Sequence, residues 1–157
     1  MILRLTQTLN TKIKAGTLKA MPLDENPYAD WSCRLFTADR TQYIITTNTK
    51  SLYSCVMYGA GITDDGTFIK RVLDNLREFT EDDGQAFAYQ RFIAPSSATV
   101  SFAKALNRSV TGSMNDLIGH AKYWLETDEF SPFDIGFKLN ETPMSALASS
   151  VSEASRG

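Results

Sequence analysis

Apolar residues change their period along the chain, and each change marks an element. From Trp31 to Tyr58 the period is two. Trp31, Cys33 and Leu35 share one side of an extended chain, Ser32 and Arg34 share the other, and Gln42 to Thr47 is rich in β-branched and aromatic residues. Asp39-Arg40 and Asn48-Thr49-Lys50 supply turns and Gly59-Ala60-Gly61 closes the run, so residues 31–58 are predicted to form a three-stranded antiparallel meander. Upstream, Ile2 to Thr6 predicts a strand and Leu9 with Ile13 a brief helix stopped by Gly16, while Pro22 and Pro27 make residues 17–30 a loop.

Beyond Gly61 the spacing becomes helical. Asp64 or Asp65 caps a helix with Phe68, Ile69, Val72, Leu73, Leu76 and Phe79 in one stripe, and Glu81-Asp-Asp-Gly84 breaks it. Ala86 to Ile93 is a short aromatic segment stopped by Pro95, and Thr99 to Ala103 alternates again and returns to the sheet. Val110, Met114, Leu117, Ile118, Ala121, Trp124 and Leu125 then define the best helix of the chain, over 109–125. Ser131-Pro132-Phe133-Asp134 starts another, with a capping hydroxyl, a proline in the first turn and an acid after it, and Thr142-Pro143 ends or restarts it.

These elements predict an α+β fold, an antiparallel sheet of four to five strands with helices packed on one face, because a helical stripe must be buried against the sheet's apolar surface. A small barrel closed by the first strand is the alternative. Residues 1–148 read as a single domain and 149–157, small and polar, as a frayed tail. At 157 residues with 43% hydrophobic side chains, the chain is long enough for one well-buried core.

Charge narrows the choice of partners. Residues 1–60 carry seven Lys/Arg against four Asp/Glu, and residues 61–157 carry nine against fourteen. A chain of net charge -2 is not a general nucleic-acid coat, although a local basic face on the first half is permitted. No apolar run reaches the length of a signal peptide core or a membrane span, which predicts a cytoplasmic protein. Cys33 and Cys55 fall in apolar strand-like runs, where they read as small core side chains of a reducing compartment.

Few residues announce chemistry. His120 is the single histidine. With Asp116 and Ser113 it makes a triad on paper, but one helix spreads the three over too great a length, and an Asp–His surface pair is the simpler reading. One His and two separated Cys do not make a metal ligand set, so no metal or cofactor is predicted. Asp64-Asp65-Gly66 and Asp82-Asp83-Gly84 lack the alternation of a calcium loop and read as caps and turns, while Gly59-Ala-Gly61 lacks the third glycine of a dinucleotide motif.

The stretch from Val100 to Leu117 is the most informative. A short strand runs into a polar knot, Lys104, Asn107, Arg108 and Ser109, and then into the strong helix. That layout aims positive charge and the N–H groups of Ser109 to Thr111 at one point, where an anion is favoured. Asn115 and Asp116 project from the next turn and line the same candidate pocket. Arg40 and Asn48 join it if the meander's turns lie at that end of the sheet. The competing view makes Ser109 or Asn107 a simple cap and pairs Lys104 and Arg108 with carboxylates elsewhere.

Thr6 with Leu9, the strand Trp31 to Leu35, Arg40 before Thr47-Asn48, the block Phe102-Ala-Lys-x-x-Asn-Arg-Ser-Val-x-Gly-Ser-Met-Asn-Asp116 and Asn140-x-Thr-Pro-Met144 together have a counterpart. Over residues 1–147 the chain resembles a small bacterial family classed as a domain of unknown function. Thr111 departs from that pattern, which has an aliphatic residue there. The resemblance implies one domain and carries no activity, substrate or catalytic residue with it.

Two functions follow from the residues. The favoured one is a non-catalytic binding or regulatory module that recognises an anionic small molecule or a protein partner near the start of the 109–125 helix. The other is an enzyme acting on a phosphorylated or nucleotide-like substrate, with Asp116 as base and Arg108 as anion clamp. A nucleic-acid module draws only on Arg4, Lys12, Lys14, Lys19, Arg34 and Arg40 and finds no recognised binding motif.

Overall fold

The computed structural model describes residues 1–127 and 130–141. Strand β1 (Ile2–Leu5) leads into α1 (Gln7–Ile13), where the Thr6 hydroxyl accepts the Leu9 N–H at 3.4 Å and Lys14 ends the helix in a left-handed conformation. After the loop come β2 (Asp30–Ala38), β3 (Thr41–Asn48) and β4 (Ser54–Tyr58). Asp39 and Arg40 both adopt positive φ, 47° and 63°, the requirement of a two-residue type I′ hairpin turn whose twist matches its strands.

Helix α2 (Asp65–Asp82) begins where Asp64 accepts the Thr67 N–H at 2.8 Å. Gly84, at φ 73°, turns the chain into α3 (Ala86–Ala88), which winds on through a wider turn at Tyr89–Ile93 and a tight one at Pro95–Ala98. Strand β5 (Ser101–Ala103), α4 (Arg108–Thr127) and α5 (Pro132–Glu141) complete the described chain. The predicted end of the last helix at Thr142-Pro143 and the predicted tail at 149–157 lie outside the described residues.

The fold is α+β as expected, but the sheet is mixed rather than antiparallel. Its order is β4-β3-β2-β1-β5, with β1 parallel to both β2 and β5 and only β2, β3 and β4 antiparallel. Alternation reveals a strand and not its direction. The long passage from Thr6 to Ala29, read as helix plus loop, is the crossover that parallel neighbours need. The outermost strands β4 and β5 do not pair with each other, so the barrel alternative fails.

The expectation of helices on one face is also corrected. Leu3, Leu5, Trp31, Cys33, Ile44, Cys55 and Met57 pack with α1 and with Phe68, Val72, Leu76 and Phe79 of α2. The neighbouring positions on the same strands, Phe36, Ala38, Tyr43, Ile45 and Val56, pack with Met114, Leu117, Ile118, Ala121 and Leu125 of α4 on the other face. Strands covered on both faces need consecutive apolar residues, which is what Tyr43-Ile44-Ile45 and Cys55-Val56-Met57 supply. Helix α5 closes the β4 edge and serves both cores: Phe133 and Phe137 reach the first, Ile135 and Leu139 the second.

On the α4 face, the half of the sheet nearest β1 is polar inside. Arg4 and Asp30 are buried and form a two-pronged ion pair, Nε to Oδ1 and Nη2 to Oδ2, each 2.8 Å. The remaining Arg4 donors meet the carbonyls of Met21, Lys104 and Pro22 at 2.9, 3.1 and 3.0 Å. Asp30 also accepts from Thr49 Oγ1 at 2.7 Å and the Asp24 N–H at 3.0 Å. Such saturation makes a buried charge pair tolerable.

Candidate functional site

The start of α4 is shaped by Asn107. Its Oδ1 accepts the Val110 N–H at 2.9 Å, and its carbonyl accepts the Thr111 N–H at 3.2 Å and the Thr111 hydroxyl at 3.1 Å. Asn107 is therefore the cap, and Ser109 is not. The expectation of open N–H groups from Ser109 to Thr111 is corrected accordingly: Val110 and Thr111 are engaged, and among the described residues the first-turn N–H groups without a partner are those of Arg108 and Ser109.

Lys104, Asn107, Arg108, Ser109, Asn115 and Asp116 are all exposed. Among the described residues neither Lys104 nor Arg108 makes an ion pair, so the pairing that the competing view asked for does not occur. The backbone beneath them is fixed, since the Lys104 N–H donates to the Lys19 carbonyl at 2.9 Å and the Lys104 carbonyl accepts from Arg4. Loose cationic side chains thus stand on an anchored main chain.

Sequence reasoning missed Arg34 as a site residue. From the middle of β2 it reaches up to α4, where its Nη1 donates to Asn115 Oδ1. Its Nε is buried and has no acceptor among the described residues. Burial pulls the Arg34 guanidinium below its ordinary pKa, and no carboxylate contact offsets this. The signal was in the strand pattern: on the α4 face β2 reads Asp30, Ser32, Arg34 before Phe36 and Ala38, polar beside the buried Arg4–Asp30 pair and apolar in the core under α4.

Other expectations separate. The His120 ring stacks on Trp124, with centroids 5.9 Å apart, and is not hydrogen-bonded to Asp116 or Ser113 among the described residues. Asn48 is spent on its own loop: its amide donates to the Pro27 carbonyl at 2.8 Å and its Oδ1 accepts the N–H groups of Lys50 and Ser51 at 3.1 and 3.0 Å. Arg40 sits in the turn at the opposite end of β3, so the two do not meet. Both thiols are buried and unbonded to each other, and burial pushes Cys33 up to about 12 and raises Cys55 as well. Neither can be a thiolate near neutral pH.

Among the described residues no three His, Cys, Asp or Glu side chains gather as a metal would require, and no helix is long and apolar enough to cross a membrane. The model of the domain of unknown function DUF6933 matches residues 2–154. The chain belongs to this family. No curated protein and no solved structure matches it. The DUF6933 match takes in every strand and helix above, so Arg34 on β2 and Asn115 on α4, remote in sequence, belong to one family unit.

Proposed function

We propose that the chain is a non-catalytic binding module that holds an anionic group, of a small molecule or of a protein partner, beside the first two turns of α4. Arg34 carries the reading. A half-buried guanidinium with an exposed Nη1 and no carboxylate beside it among the described residues is a charge that burial penalises and that an oxyanion would stabilise. Among the described residues Lys104 and Arg108 stand unpaired near the two open N–H groups of the helix start, adding charge and the positive end of the helix dipole. The enzyme alternative lacks comparable support. Among the described residues Asp116 is exposed with no hydrogen-bonded histidine, thiol or second carboxylate, and both thiols are buried in protonated form.

Titration of the full chain with inorganic phosphate, followed by nitrogen–proton NMR, tests this. The expected response is a shift of the Arg34 Nε–H together with the backbone N–H groups of Arg108 and Ser109. Arg108→Ala should weaken binding by about 1.5–3 kcal/mol without unfolding the exposed site, and Arg108→Lys should restore only part, since an ammonium keeps the charge but not the fork. Absence of these shifts with phosphate, sulfate and a dicarboxylate, or shifts indifferent to Arg34→Gln, would overturn the assignment.

A further inference from the structure

We infer that two copies of the chain associate through an aromatic platform made by Tyr28, Phe87 and Phe92. The three rings are 40, 71 and 38% exposed, and they touch one another: Tyr28 stacks on Phe92 at 4.8 Å, and Phe87 meets Phe92 edge to face at 6.2 Å. None of them belongs to either core. A contiguous apolar patch left in water marks an interaction surface, whereas scattered single rings would not.

An irregular backbone builds the platform. The Ala94 N–H donates to the Tyr89 carbonyl, five residues back, at 2.8 Å, the bond of a π-turn over Tyr89–Ile93. In a regular helix Arg91, four residues on from Phe87, would lie beside that ring. The wider turn brings Phe92 there instead. Asn26 then joins the two halves, its Nδ2 donating to the Phe92 carbonyl at 3.4 Å and its Oδ1 accepting the Tyr28 N–H at 3.1 Å. Such turns are rare and collect at functional positions. This one places a ring on the surface and adds none to the core, so packing of the fold does not account for it.

Charge at the rim selects the occupant. Glu25 adjoins Asn26 and Arg91 adjoins Phe92, so an acid and a base flank the Asn26–Phe92 bond; both are exposed, and neither makes an ion pair among the described residues. A partner of one charge sign would satisfy one and repel the other. A second copy related by a two-fold axis satisfies both, because such a contact is its own complement and Arg91 of each copy meets Glu25 of the other. At about 150–250 Å² for a whole aromatic side chain, the exposed parts of the rings supply on the order of 300 Å² per copy, against about 800 Å² per partner in a standard interface. With the exposed Glu25, Gln85, Gln90 and Arg91 around them, the rings form the apolar core and polar rim of a small, transient interface.

Sedimentation velocity of the full chain at low salt tests this. A contact of this size should give a monomer–dimer equilibrium centred at about 0.1–1 mM chain. Phe87→Ser, at the most exposed of the three rings, should weaken it at least about tenfold. Glu25→Lys and Arg91→Glu each set like charges at both rim pairs, and each variant alone should associate at least about tenfold more weakly than the parent. An equimolar mixture of the two restores opposite charges at both pairs and should recover the parent's affinity, which neither a folding defect nor a head-to-tail contact would produce. In nitrogen–proton NMR, dilution should move the N–H signals of Tyr28, Phe87 and Phe92 and leave those of Arg108 and Ser109 in place, which separates this surface from the anion site. A chain monomeric throughout that range, association indifferent to Phe87→Ser, or a mixture no tighter than either variant alone overturns the inference. Dilution shifts confined to the start of α4 do so as well.

Discussion

Replacing Gly136 by alanine adds one methyl group to α5 and should destabilise the fold, although alanine favours helix. A Cβ at Gly136 would stand 2.5 Å from Phe79 Cε2 and 2.8 Å from Cζ. Phe79 cannot retreat, because it is fully buried and its ring is held by Tyr53, Phe133 and Phe137 at centroid distances of 5.6, 5.6 and 4.5 Å. Overpacking of this kind costs about 1–3 kcal/mol, and the enclosed ring places it toward the upper end. The helix propensity gained offsets about 1 kcal/mol. A net loss on the order of 1–2 kcal/mol remains. Gly119→Ala on α4 is the control, since a Cβ there meets nothing within 4 Å. It should stabilise by about 0.5–1 kcal/mol. Urea denaturation reads both: the midpoint should fall by about 0.5–1 M for Gly136→Ala and rise for Gly119→Ala, with slopes unchanged. Phe79→Leu, which shortens the ring, should recover part of the Gly136→Ala loss in a double-mutant cycle. A Gly136→Ala protein as stable as the parent, or a cycle without coupling, would refute the packing argument.

Leu117→Ala, at a position buried under α4, should cost about 2–5 kcal/mol in thermal or urea denaturation. Trp124→Ala should cost less than the about 3–5 kcal/mol of a fully buried ring, because Trp124 is only half-buried and rests partly on His120. Asp30→Ala leaves the Arg4 guanidinium buried without its counter-ion and should cost about 3–5 kcal/mol, whereas an apolar replacement of both should recover much of this. The raised Cys33 pKa makes stability fully present below the unfolded thiol value near 9.0 and lost as pH rises through about 12, since the unfolded chain releases the proton first. Cys33→Ala should flatten that alkaline fall, and in the native chain both thiols should resist a thiol reagent at mildly alkaline pH.

Elements were legible in the sequence where a local pattern decides them. The I′ turn at Asp39-Arg40, the Asp64 cap, the Ser131-Pro132 start and the α4 stripe each depend on a few neighbouring residues, and each stands where its spacing placed it. Direction and layering depend on contacts between distant segments. Parallel pairing of β1 with β2 and β5, and the second helical layer, left only indirect traces in the crossover length and in the apolar runs of β3 and β4. Among candidate site residues, Asn107 was legible as a cap. Arg34 was not singled out, because its significance lies in a buried Nε–H and in a partner on α4 that no window of sequence contains. Arg4 read as one more cation for the same reason, yet it is buried against Asp30.

The Arg4–Asp30 pair and the start of α4 are mechanically one structure. Every Arg4 donor is committed, so the pair offers nothing to a ligand. What it does instead is hold the main chain at Lys104 through that residue's carbonyl, while the other side of the same residue is tied to Lys19 and extends the sheet by one bridge to Ala103. From that anchor the four residues Lys104 to Asn107 lead into a helix whose axis is set at its far side by Met114 and Leu117 in the core. On the binding reading proposed above, an anchor at each end would hold the N–H groups of Arg108 and Ser109 in place before a ligand arrives. Preorganised donors of this kind bind an anion without first having to order a loop. Weakening the buried pair should therefore loosen the α4 start as well as lower stability, and Asp30→Asn should show it as faster hydrogen exchange at Lys104, Arg108 and Ser109 than global unfolding accounts for. Exchange at these three residues that changes only in step with overall stability would mean that the pair supports the fold and has no separate hold on the site.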